Sequence, residues 1–388
     1  MSILVPSSSD CGSSLYLHIP FCRSKCPYCD FFSQVGDQAQ INAYVDLVLR
    51  HLAWLNDSQA FTAPLGTVFF GGGTPSLLTS GQVAAILDQL QGTVGLTCAA
   101  EISLEANPGT VDLARLEGYR GAGVNRLSFG VQSLQAGALQ LLGRGHSSQQ
   151  AVQAVAWARQ AGFSNIGCDL MFGLPGQGQG ALLQDLSALL QLQPDHLSCY
   201  GLTVEAGTPF EALQGSGALE LPDEDAFPEL YLSIHEQLTS AGFEHYEISN
   251  YARSGYLCRH NLAYWRRQTC FAVGAGSHSF TAAGYGTRRA VPADLSLYRQ
   301  SLQQGCDPAE TLETFDRQGA MAETLYLGLR TAEGVSEADF RRHFGQGVAD
   351  VFADAVRRCG ERLRLVEGCW RFDLEGWLLY DYFISFFL

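Results

Sequence analysis

Positive charge is scarce in this chain. Its 388 residues carry 24 Lys and Arg against 39 Asp and Glu, a formal net charge of -15. Phosphate binding needs a basic face, so nucleic acid is excluded as the main partner, though a local basic pocket is not. Long apolar runs are lacking as well: none approaches the roughly 20 residues that cross a bilayer, and no transmembrane segment is expected. Met1 to Ser9 also lacks the basic region and apolar stretch of an exported chain. The expectation is a cytoplasmic protein whose thiols stay reduced. What is present, 46% apolar and 16% charged residues, describes a globular chain long enough for one large barrel and a smaller domain.

Three cysteines crowd one loop in the run Tyr16-Leu17-His18-Ile19-Pro20-Phe21-Cys22-Arg23-Ser24-Lys25-Cys26-Pro27-Tyr28-Cys29, spaced C-x3-C-x2-C. Thiolates this close can hold three corners of an iron-sulfur cube, and the other cysteine of this region, Cys11, lies well upstream. One iron would then stay open to chelate a small molecule through an amine and a carboxylate and to pass it one electron. The alternative is a structural zinc knot. Closed zinc sites want four ligands, commonly as two pairs, and only His18 or the distant Cys11 is available to complete this triplet.

From Leu15 onward, short apolar runs alternate with segments of helical period, the pattern of parallel strands joined by crossover helices. Strands are expected at Leu15 to Ile19, Thr67 to Phe70, Glu101 to Leu104, Asn125 to Phe129, Asn165 to Met171 and His196 to Gly201. Helices are expected at Ala43 to Leu55, Gln82 to Leu90, Val111 to Arg120, Gln149 to Ala161 and Ala181 to Leu192. Six such units suit an open, partial (β/α)6 barrel of the α/β class. An acidic stretch from Leu221 then leads into a helix, a strand at Tyr246 to Ser249 and a loop rich in His and Gly. The expected division is a barrel over 1-250, a connecting segment over 251-312 and a small, mostly helical domain over 313-388 with a hairpin around Leu363 to Phe372. The aromatic end, Trp377 to Leu388, reads as an element closing that domain, with peripheral membrane or partner contact as the alternative.

Catalytic groups of a parallel barrel collect where the strands end. After the second expected strand comes Gly71-Gly72-Gly73-Thr74-Pro75. The third ends in Glu105-Ala106-Asn107-Pro108, the fourth in Gly130-Val131-Gln132-Ser133, and the fifth carries Asp169. Glycines let a ligand approach the backbone, Glu105 can accept from a cationic amine, Arg144 can clamp a carboxylate and Asp169 suits ribose hydroxyls. Plainer readings exist for each. The glycines can form a tight turn into a helix capped by Ser76 or Ser80, Arg144 can be a solvated loop charge, and Asp169 can cap a helix or turn.

These residues resemble the radical S-adenosylmethionine (SAM) family, and within it the group of anaerobic coproporphyrinogen III oxidase and the HemW haem chaperones. The resemblance runs through Tyr16-x-His18-Ile19-Pro20-Phe21-Cys22, Gly71 to Pro75, Glu105-x-x-Pro108, Gly130 to Ser133, Asp169 to Pro175, Tyr246 to Ala252, Cys258 to Trp265 and Leu327 to Val335. It implies a 4Fe-4S cluster on Cys22, Cys26 and Cys29, and S-adenosylmethionine held by Tyr16, Tyr28, Gly72, Gly73, Thr74, Glu105, Gln132, Arg144 and Asp169. A low-potential electron donor is implied with them. One departure matters: the oxidase continues its motif to a further cysteine, and here Phe31 stands in that place. The chain is therefore similar to the chaperone branch, which binds haem and hands it to acceptor haemoproteins; oxidative decarboxylation of coproporphyrinogen III is the alternative, and a radical methyltransferase a third class.

Haem needs an apolar slot, an axial ligand and cations for its propionates. The candidates are His245, Cys258, His260 and His278 as ligands, Tyr264 and Trp265 as flanking rings, and Arg259, Arg266 and Arg267 as cations. The plainer reading makes Tyr264 and Trp265 core residues and His260 a turn cap.

Overall fold

The computed structural model describes residues 12-223 and 226-388. Cys11 and part of the acidic stretch, Glu224 and Asp225, lie outside them. Strand and helix alternate as β1 (Ser13–Ile19), α1 (Gln38–Asp57), β2 (Leu65–Gly72), α2 (Ser80–Gly92), β3 (Leu96–Ala106), α3 (Leu113–Ala122), β4 (Arg126–Gln132), α4 (Ala136–Leu141), α5 (Ser148–Gln160), β5 (Ile166–Phe172), α6 (Gln179–Gln191) and β6 (His196–Gly201). The six strands pair in parallel in chain order. This is the open (β/α)6 barrel. Its strands are buried along most of their length, with helices covering the outer face and polar side chains such as Ser128 and Asp169 turned to the inner one.

Helix starts explain where the observed bounds pass those expected. Asp37 and Gln40 bond reciprocally at the start of α1, as do Thr79 with Gln82 at α2 and Ser147 with Gln150 at α5. Each such box satisfies two orphan N–H groups, and losing the capping side chain costs about 1 kcal/mol. The first box carries α1 back to Gln38, ahead of its first apolar face residue. The second corrects the expected cap of α2: Thr79 holds that place, Ser80 is already helical, and Ser76 bonds instead to Thr110 Oγ1 at 2.6 Å.

Beyond α7 (Pro209–Gly215) and α8 (Ala226–Ser240), the expected strand Tyr246 to Ser249 divides into β7 (Glu244–Glu247) and β8 (Asn250–Ala252), joined by a tight turn. The stretch expected as a connection is strand-rich. It carries α9 (Arg259–Trp265), β9 (Cys270–Val273), β10 (His278–Thr281), β11 (Thr287–Ala290), α10 (Leu295–Gln303) and β12 (Glu310–Thr314). β9 pairs in parallel with β1, so one twelve-stranded sheet runs β12-β11-β10-β9-β1-β2-β3-β4-β5-β6-β8-β7. Nothing in the local pattern announced this, because β10, β11 and β12 pair antiparallel and are only four or five residues long.

From α11 (Arg317–Gly328) onward the chain builds a second hydrophobic core with its own three-stranded sheet, which includes the expected hairpin, Leu363–Val366 on Cys369–Phe372. Trp377, Tyr380, Phe383, Ile384 and Phe387 are buried in it, while Leu379 and Tyr382 face outward. No helix among the described residues is long and apolar enough to cross a membrane.

Candidate functional site

β1 ends at Ile19 and the chain turns over the carboxyl rim of the barrel as the cysteine loop. Phe21–Cys22 pairs with Gln34–Val35, and His18 Nε2 meets the Phe32 carbonyl at 2.8 Å, so both ends of the loop are tied. The three thiols are half-buried. Thr74 Oγ1 lies 3.5 Å from Cys22 Sγ, and Arg144 reaches both Cys26 Sγ and Tyr28 Oη at 3.5 Å while donating to the Gly130 carbonyl at 2.8 Å. Burial pushes the Cys29 thiol up, and the neighbouring Cys26 and Cys22 add to that. Thiolates held together in such a place need a cation between them.

Among the described residues the zinc reading finds no fourth donor. Both ring nitrogens of His18 are engaged, the second with Tyr16 Oη at 3.1 Å, and no group of three His, Cys, Asp or Glu among the described residues is arranged around a single ion. A cube has a different requirement, because each thiolate meets its own iron and the three need not converge on one point. All three line one cavity.

That cavity, about 640 Å³, is also lined by Tyr16, Tyr28, Gly72, Gly73, Thr74, Glu105, Gln132, Arg144 and Asp169. Every residue expected from the resemblance to hold S-adenosylmethionine therefore faces the same space. The glycines are required by contact: Gly72 has φ +113° and an added Cβ would stand 2.7 Å from the His18 ring, while at Gly73 it would stand 2.8 Å from the Phe21 carbonyl and 3.0 Å from Cys22 Sγ. Gln132 takes φ +66°, a left-handed conformation unusual for its type, at an irregularity between β4 and β5. Glu105 accepts from the Gly72 N–H at 3.2 Å. Burial, with Asp169 nearby, pushes its carboxyl up to about 8 despite that bond and the Arg126 charge. Asp169 accepts from Ser128 Oγ at 3.1 Å; burial raises it too, opposed by Ser198, Ser128, Arg126 and Arg144. Neither carboxylate caps a helix, and Arg144, which is mostly buried with its Nε unpartnered among the described residues, is no solvated loop charge.

Sequence reasoning missed Arg126, Ser128, Ser198 and Tyr200, which line the same cavity. Arg126 is 2% exposed and its Nε has no partner among the described residues. A charged residue inside the strand expected at Asn125 to Phe129 was the available signal. For Ser128, Ser198 and Tyr200 it was the alternation that puts every second residue of β4 and β6 on the inner face.

The haem candidates do not all converge. His245 stands on the edge strand β7, stacked on Tyr251 at 4.0 Å with its nitrogens on His235 and the Ile248 carbonyl; burial lowers its pKa to about 3. Cys258 is fully buried, its thiol 3.7 Å from Glu101 and pushed up to about 12. His260 is 1% exposed and reaches inside the barrel, where Nδ1 meets Thr67 Oγ1 at 2.7 Å and Nε2 meets Tyr264 Oη at 3.3 Å. It ties α9 to the barrel wall and does not cap a turn. Glu101 receives the N–H groups of Arg259 and His260 at the start of that helix. Arg259 donates to the Ala99 carbonyl and Arg266 pairs with Glu333. Tyr264, Trp265, His278 and Arg267 do meet, around a second cavity.

The fold and this rim define the class. The family model described as "Radical SAM superfamily" matches residues 16-188, and "HemN C-terminal domain" matches residues 315-379. Heme chaperone HemW of Synechocystis sp. is 39% identical over 337 residues, 84% of this chain and 80% of that one. The HemW of Escherichia coli is 44% identical over 267 residues, 68% and 69%, and that of Bacillus subtilis 33% over 351 residues, 90% and 91%. Among solved structures, coproporphyrinogen III oxidase (HemN) from Escherichia coli, a radical SAM enzyme, shares the fold with a TM-score of 0.83 at 21% identity, covering 97% of this chain and 90% of that one. The chain belongs to the HemW haem-chaperone family of radical SAM proteins.

Proposed function

We propose that this chain is a haem carrier that binds haem and delivers it to acceptor haemoproteins, and that it keeps a 4Fe-4S cluster on Cys22, Cys26 and Cys29 with S-adenosylmethionine beside it. The observation that carries the cofactor half is the convergence of three thiols and nine polar or glycine positions on one cavity. The family supports the cargo half. The cluster, when bound, would supply one electron to the sulfonium of the second cofactor. The residues of the chain do the rest. Glu105 would take the ammonium once it has lost its proton, Arg144 would meet the carboxylate with its planar fork, Asp169 would accept from ribose hydroxyls, and Gly72 and Gly73 would let the ligand lie against backbone. Tyr16 and Tyr28 would narrow the entrance and keep water out.

Cytoplasmic residence, a low-potential electron donor and peripheral membrane contact through the exposed Leu379 and Tyr382 belong to the same proposal, as does the division at 250 and 312. The net charge of -15 keeps nucleic acid out of it. Anaerobic reconstitution with parallel assays for 5'-deoxyadenosine and for bound haem is the test. Haem held in a fixed ratio and passed to an apo-haemoprotein, without porphyrinogen turnover, is the expected outcome. Conversion of coproporphyrinogen to protoporphyrinogen would overturn it in favour of the oxidase.

A further inference from the structure

The second cavity, about 610 Å³, shares Tyr16, Phe31, Gly72 and Tyr264 with the first, so the two are separated by single side chains. Its other walls are mainly apolar and aromatic, with Phe32, Trp265, Phe280 and Leu327 among them. That size and lining suit an organic ligand fixed by a few polar groups. The polar groups present are specific. Arg267 and Arg288 both pair with the single carboxylate of Glu323, which leaves one positive charge over at the cavity wall. Trp265 Nε1, also at this wall, is buried with no hydrogen-bond partner among the described residues. A flat apolar ligand carrying carboxylates would satisfy both the surplus charge and the orphan donor.

An axial ligand must have a free nitrogen or sulfur aimed at such a space. His245, Cys258 and His260 are each committed elsewhere, as described above. His18 lines the cavity, but the Phe32 carbonyl and Tyr16 hold its ring from both sides. His278 differs from all of them. It stands on β10, exposed, at the cavity wall, and its ring enters no hydrogen bond among the described residues.

Resting on the haem-carrier reading, we infer that the second cavity is the haem site, with His278 as axial ligand, Arg267 and Arg288 as propionate partners and Trp265 as a donor beside them. The haem iron then lies next to the cofactor cavity across Tyr16 and Phe31, and α9 contributes through Tyr264 and Trp265 while His260 only anchors it.

The test uses the full-length protein with its cluster reconstituted under exclusion of air, titrated with haem and followed by absorption and magnetic circular dichroism. The wild type should show histidine-ligated iron. Loss of an outer partner of a metal ligand already weakens affinity about tenfold or more, so His278→Ala should weaken haem binding by at least about tenfold and lose the histidine signature, and His278→Cys should replace it with a thiolate signature. His260→Ala should keep the wild-type spectrum. Unchanged affinity and spectrum in both His278 variants would overturn this inference and leave the carrier reading standing. A wild-type chain that takes up no haem would overturn the carrier reading, and this inference with it.

Discussion

The two cavities lie wall to wall and are assembled in opposite ways. The polar one draws one short segment from each successive strand end: the cysteine loop after β1, Gly72 to Thr74 after β2, Glu105 on β3, Gln132 on β4 and Asp169 on β5. The apolar one is gathered from the loop at Phe31 and Phe32, the end of α9, the hairpin strands β10 and β11, and Leu327 of α11. A parallel barrel delivers its rim residues at regular intervals along the chain. A space closed by antiparallel strands and by a helix from the second core has no such spacing.

The contrast can be broken most strongly at the thiols. Replacing Cys22, Cys26 or Cys29 by Ala should abolish the iron-sulfur absorption of reconstituted protein and leave far-UV circular dichroism almost unchanged, since the loop sits at the rim. Retained cluster iron would remove the polar cavity from the account. Gly73→Ala should come next in size. Its methyl would press on the Phe21 carbonyl and the Cys22 sulfur, so cluster content and cofactor affinity should drop together; normal values of both would mean the loop yields easily.

A third change separates anchoring from binding. His260→Ala strands the hydroxyls of Thr67 and Tyr264 inside the barrel and should cost about 1 to 3 kcal/mol in denaturant unfolding of the haem-free protein. Unaltered stability would show that α9 is not held this way.

The smallest effect is a proton. The folded-state pKa of Glu105 is raised, from 4.5 to about 8, so the stability it gives is present below the unfolded value and is lost as pH climbs through about 8. Glu105→Gln should therefore gain on the wild type over that rise. Binding of a cationic amine pulls the carboxyl back down, and near neutral pH the wild type should release a proton on taking up S-adenosylmethionine. Calorimetry in two buffers of different ionisation enthalpy reads this directly. No release, or the same release from Glu105→Gln, would place the ammonium elsewhere.

Much of the barrel was legible because its period is local: apolar strand, glycine or polar end, amphipathic helix. Cys22 stands out because it follows an apolar strand where the rim falls, Glu105 because it stands at the end of one, and Asp169 because a carboxylate interrupts β5. Ser128 does not, since residues on the inner face of a strand are told from outer ones only by register. The haem stretch was read as one site because Cys258 to Trp265 is contiguous, yet a helix points its residues around a circle. His260 turns into the barrel while Trp265 turns toward the second cavity. The strands β9 to β12 stayed hidden for a related reason, since their partners are set by pairing with β1 and with one another and not by any repeat in the chain.

Electron paramagnetic resonance of the reduced, reconstituted protein, recorded without and with S-adenosylmethionine, addresses the core of this description. A cube held by Cys22, Cys26 and Cys29 alone should change its signal when the ligand is added, because one iron is free to take it. A signal that stays the same at saturating ligand, or iron that survives loss of the three thiols, would contradict it.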